Sequence, residues 1–134
     1  MTSPPPGCDG GAATATMLTA LAVHGFAARD RLPLSFVFQA GTVRQAIQLA
    51  AALRSGHRDA TVRVHLRRRV LPSGPRWSVV LRTVPTVLCH STIRRLELEL
   101  DDTAARCEGT VLRGWRPILA DGDAERVLGP GSGW

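Results

Sequence analysis

Apolar and polar positions alternate with a period of two in four stretches of this 134-residue chain and recur at the helical period in three others. In Leu34 to Gln39, Leu34, Phe36 and Phe38 share one face and Ser35, Val37 and Gln39 the other, the pattern of a half-buried strand. Thr61 to Arg67 alternates more cleanly, with Val62, Val64 and Leu66 facing one way and Arg63, His65 and Arg67 the other. The turn Pro72-Ser73-Gly74-Pro75 connects it to Trp77 to Thr83, which predicts a hairpin that sends Ser78, Val80 and Arg82 to the same side as Arg63. Val111 to Arg116 is the last strand.

The helical stretches carry their own punctuation. Ala13 to His24 places Met17, Leu18, Leu21 and Ala22 on one stripe and stops at Gly25. Val43 to Ser55 starts after a Thr42 N-cap, turns Ala46, Leu49, Ala50 and Leu53 inward, and has Gly56 just past its end. Leu96 to Leu100 alternates like a strand, but Ile93, Leu96, Leu100, Ala104 and Cys107 continue a helical stripe far beyond strand length, and Glu is a poor strand former. Val87 to Cys107 is therefore predicted as a long helix, with Thr86 available to cap its start and Gly109 its end.

After the N-terminal helix the order is βαββαβ. This predicts an α+β fold, a ferredoxin-like antiparallel sheet with two helices on one face. The domain is expected over residues 12–117. Residues 1–11, rich in Pro and Gly, are expected to be a disordered tail, and 118–134 a flexible one. Aromatic residues make up only 4% of the chain and Tyr is absent, so the core must rest on Leu, Val, Ala and Ile. Trp77 and Trp115 are expected to fill or edge it, with their indole N–H groups near solvent.

Charge changes the picture in one region. The formal net charge is +6, and all 17 basic residues are arginine. From Arg29 to Pro117 there are 16 Arg against seven acids, a net of +9. Such a field attracts nucleic acid or acidic partners, although Arg enrichment together with missing Lys, Asn and Tyr also fits a GC-rich coding sequence. Cys8, Cys89 and Cys107 lie far apart, without metal-ligand or disulfide-framework spacing, which fits free thiols in a reducing cytoplasm. The apolar run Ala12 to Val23 is shorter than the ~20 residues of a membrane span and has no basic flank. The expected setting is cytoplasmic, without a membrane.

No residue pattern points to catalysis, a cofactor or a metal. Cys89 and His90 are adjacent, so on a helix they diverge by about 100° rather than forming a dyad. Asp101 and Asp102 fall on a polar helical face, and the four His residues lack ligand spacing. The suggestive surface is the open sheet face with Arg63, His65, Arg67 and Arg82, a candidate site for a partner or for RNA. Arg67-Arg68-Arg69 could contact phosphate. RNA-binding sheets of this topology stack bases on aromatics, whereas Phe36 and Phe38 here read as core.

With these elements placed, the chain resembles the ribonuclease E inhibitor family, known as regulator of ribonuclease activity B, from about Thr14 to Arg116. The resemblance runs through A-L-A-V-H-G-F, L-S-F-V-F, Q-A-I-Q-L-A-A-A-L-R-S-G, G-P-R-W-S-V-V, V-P-T and A-A-R-C-E-G. Its pattern positions are Gly74, Trp77, Gly109, Gly114 and Trp115. The family's closing Tyr, acid and first Gly are replaced here by Leu112, Arg113 and Glu108. The resemblance implies a ferredoxin-like, non-enzymatic protein that binds an endoribonuclease of the ribonuclease E type and lowers its activity. Members are commonly acidic, the opposite of this chain. The alternative from the residues themselves is direct RNA binding through the Arg-rich face.

Overall fold

The computed structural model describes residues 8–67 and 76–119. Its elements in order are α1 (Cys8–Val23), β1 (Arg31–Leu32), β2 (Leu34–Ala40), α2 (Val43–Gly56), β3 (Thr61–Arg67), β4 (Arg76–Arg82), β5 (Thr86–Val87), α3 (His90–Ala105) and β6 (Thr110–Pro117). The four long strands form one antiparallel sheet in the order β3-β4-β2-β6. Numbered along the βαββαβ unit this is 2-3-1-4, the ferredoxin-like order, and the α+β expectation holds. Leu96 to Leu100 lies within α3, so the helical stripe prevails over the local alternation.

The strand residues of the main core cluster come from one side of the sheet, while Val37 and Ser78 are buried in the middle of the other. Leu34, Phe36, Phe38 and Ala40 of β2, Val62 of β3, Val79 and Leu81 of β4 and Trp115 of β6 join Ala46, Leu49, Ala50 and Leu53 of α2 and Ile93, Leu100 and Ala104 of α3 in one cluster. Each large side chain so buried contributes about 1.5–3 kcal/mol. Phe36 and Trp115, opposite each other in the β2–β6 register, pack with ring centroids 6.5 Å apart.

Local chemistry fixes the ends of α2. The Thr42 hydroxyl accepts from the Gln45 backbone N–H, and the Gln45 side chain accepts from the Thr42 N–H, each at 3.2 Å. This is a complete capping box. Gly109, ahead of β6, has φ +73°, and a Cβ there would run into the Gln45 amide. Gly109→Ala is therefore expected to cost about 1–3 kcal/mol from backbone strain, and more where Gln45 is pushed off Thr42. Around Gly56 no atom would obstruct a Cβ, and Gly56→Ala should cost little or stabilise by up to about 1 kcal/mol. Urea unfolding of the two variants checks the contrast.

Several boundaries differ from the sequence reading. α1 begins at Cys8, inside the stretch expected to be a disordered tail. Its two Gly residues, Gly10 and Gly11, cost a helix only about 1 kcal/mol each. Residues 1–7 lie outside the described residues. α3 starts later than expected: Cys89 is its N-cap and makes no side-chain cap bond, while Thr86 belongs to β5. β5 pairs with β1 in a two-residue ladder that no period can announce, extended by Leu88 N–H to Asp30 O at 3.0 Å. At the C-terminal end the domain continues past 117. Ile118 N–H donates to Pro33 O at 2.8 Å and Leu119 packs on the core, so these two residues are not flexible tail. The remainder of that segment, with Gly74 and Arg68-Arg69, lies outside the described residues.

A candidate binding face

Because side chains alternate along each strand, the face away from the helices is also a grid. Across it, Thr61 stands opposite Arg82, Arg82 opposite Ser35, and Ser35 opposite Arg116. The next row is Arg63, Val80, Val37 and Gly114, and the third is His65, Ser78, Gln39 and Val111. Arg67 pairs with Arg76 at the end of the hairpin. The register breaks between Val37 and Phe38. Gly114 opposes Val37 and Leu112 opposes Phe38, leaving Arg113 as the extra residue of a bulge.

Three of the four predicted residues come together here, and the side chain of Arg67 lies outside the described part of the structure. Arg63, His65 and Arg82 line a depression of about 210 Å³ with Ser35, Thr61 and Val80. None of these six residues is acidic. Arg63 and Arg82 are exposed and take part in no ion pair or hydrogen bond among the described residues. Arg82 pairs with Thr61, two residues from Arg63, so the two arginines are diagonal neighbours. Cα atoms so placed lie about 7–8 Å apart, within reach of long side chains. The period of two does not by itself single out Ser35 and Thr61. Their place beside the arginines depends on the register of three strands.

A second polar feature has no counterpart in the sequence reading. Glu97 lies on the buried side of α3, in line with Ile93 and Leu100, and is only 7% exposed. The fully buried Thr14 of α1 donates its hydroxyl hydrogen to Glu97 Oε1, and the Trp115 indole N–H donates to the Thr14 oxygen at 3.0 Å. Arg94 Nη1 approaches Glu97 Oε2 at 3.3 Å. The Trp115 indole is thus buried and bonded, not set near solvent as expected. The available signal is a single Glu one helical turn from two stripe residues. This network ties α1, α3 and β6 together.

Other expected features fall into place around these two. Trp77 is half-buried against the core. The Cys89 thiol is half-buried, with Sγ 3.2 Å from Ser91 Oγ. That hydroxyl contact, helped by backbone N–H groups at Thr92 and Ser91, holds it below the usual thiol range. Asp101 and Asp102 are exposed, and Asp102 pairs with Arg106. A broader, shallower surface on α3, lined by Ser91, Arg94, Arg95, Leu98, Glu99 and Asp102, carries both signs of charge and so offers no net field. Among the described residues, no group of three or more His, Cys, Asp and Glu side chains could hold a metal ion, and no helix is long and apolar enough to cross a membrane.

No family model and no curated protein matches the chain.

Proposed function

We propose that this protein is a non-enzymatic, cytoplasmic regulator of RNA degradation that works by binding. Its partner would be an endoribonuclease of the ribonuclease E type or another protein of the RNA-degradation machinery. The observation that carries the reading is the open sheet face. One side of the sheet is occupied by the protein's own helices, and the other presents Arg63 and Arg82, which lack a counter-charge among the described residues. An unscreened basic face favours docking of an anionic partner and speeds encounter with it.

The resemblance to ribonuclease E inhibitors supports the choice of partner. Gly109 holds the left-handed turn beside Gln45, Gly114 stands at the bulge, and Trp115 packs on Phe36. The closing pattern thus coincides with positions on which this fold depends. Gly74 lies outside the described residues.

The test is capture of the host's ribonuclease E-type enzyme on the immobilised protein at low salt, paired with a cleavage assay on a defined RNA. Capture with slowed cleavage is the expected result, and both should fade as salt rises. An enzyme that is neither captured at low salt nor changed in its cleavage rate would refute the proposal.

A further inference from the structure

We infer that the depression between Arg63 and Arg82 is a phosphate site for the backbone of single-stranded RNA. The inference rests on the reading that the open face is the docking surface, and it names the group that docks there. Four hydrogen-bonding side chains converge on the depression besides His65: the guanidinium groups of Arg63 and Arg82 and the hydroxyls of Thr61 and Ser35. Two planar forks and two hydroxyls supply more donors than the two oxygens of one carboxylate can use. They suit the several acceptor oxygens of a phosphate and its ester linkages. The volume of about 210 Å³ is several times the roughly 30 Å³ share of one liquid water, so it admits a phosphate with part of its sugar.

The two guanidinium groups repel each other in the free protein, because like charges on neighbouring strand positions are destabilising. A bound anion relieves that repulsion. The rest of the row explains why the strand would be single. From Arg63 the second row continues across the sheet as the half-buried Val80, the buried Val37 and Gly114, and one row further on Val111 lies exposed on β6. Backbone phosphates over β3 and β4 would leave unpaired bases facing the apolar surface that Val80 and Val111 offer, whereas a duplex hides its bases within the stack. Without aromatic platforms the bases add little, so phosphate contacts dominate and binding is tolerant of sequence.

The experiment is a fluorescence-anisotropy titration of the full-length protein with a short labelled oligouridylate over a range of salt. Arg63→Gln and Arg82→Gln are measured singly and together, with polyglutamate as competitor and thermal melts of every variant. The parent should bind at low salt. Each single variant should weaken binding by ~10-fold or more, the cost of a charge-assisted hydrogen bond. The double variant should flatten the log–log salt slope by about 0.7 for each phosphate it no longer neutralises. Melting temperatures should stay level or rise, since repulsion is removed, which excludes unfolding as the cause.

Equal binding by parent and double variant would overturn the site, as would polyglutamate competing as well as RNA at matched charge. If the parent binds no RNA at low salt but still captures the endoribonuclease, the phosphate site is refuted and the regulatory proposal stands. If RNA binds as described and no endoribonuclease is captured, the site stands and the regulatory proposal is refuted.

Discussion

Trp115→Ala is expected to lower the unfolding free energy by about 3–5 kcal/mol, the range for removing a large aromatic from a core. Trp115 is 7% exposed, packs against Phe36 across the β2–β6 register, and donates its indole N–H to Thr14. Truncation therefore opens a cavity beside Phe36 and leaves the Thr14 oxygen without its donor. Domains of this size have about 5–15 kcal/mol in total, so the variant should be partly unfolded or close to it. Urea denaturation gives the value from the shift in midpoint at constant slope. Trp115→Phe, which keeps a ring but has no N–H, should fall between the parent and Trp115→Ala. A loss below about 1 kcal/mol for Trp115→Ala would place the side chain outside the core.

Thr14→Val should cost about 2–4 kcal/mol although it preserves volume almost atom for atom. It removes a hydroxyl that donates to Glu97 and accepts from Trp115, and each buried polar group left without a partner costs about 1–3 kcal/mol. Thr14→Ser keeps both bonds and should lose much less. A double-mutant cycle with Glu97→Leu separates the network from simple packing. Removing Glu97 as well takes away one of the two stranded partners, so the combined loss should fall short of the sum of the singles. Additive losses would mean that Thr14 and Glu97 do not interact.

The parts of the fold legible in the sequence are those that local periodicity encodes. The β2 alternation of Leu34, Phe36 and Phe38, the hairpin of β3 and β4, and the stripe Ile93–Leu100–Ala104 each follow from which side of one element must be buried. Arg63, His65 and Arg82 are legible for the same reason, since a period of two joined to a hairpin turn sends them to one face. What escapes depends on pairing between distant segments. Thr61 and Ser35 join the arginines only once β4 lies between β3 and β2. The bulge at Arg113 exists only in the β2–β6 pairing. Glu97 reads as a polar interruption because nothing local shows that Thr14, 83 residues earlier, will meet it. The start of α1 is obscured because Pro and Gly content argues against regular structure on average, while Gly10 and Gly11 cost a helix only about 1 kcal/mol each and the Ala-rich sequence after them favours it.

The bond between Trp115 and Thr14 spans 101 residues of chain. On a ribosome, α1 is made early and can only wait, because the indole that completes its seat is among the last parts of the domain to emerge. Contacts of such high sequence separation close late and slow folding. Until then Leu21 and the polar Thr14 have no finished surface to rest on, and the nascent N-terminal helix is a natural client for whatever shields exposed apolar segments during synthesis.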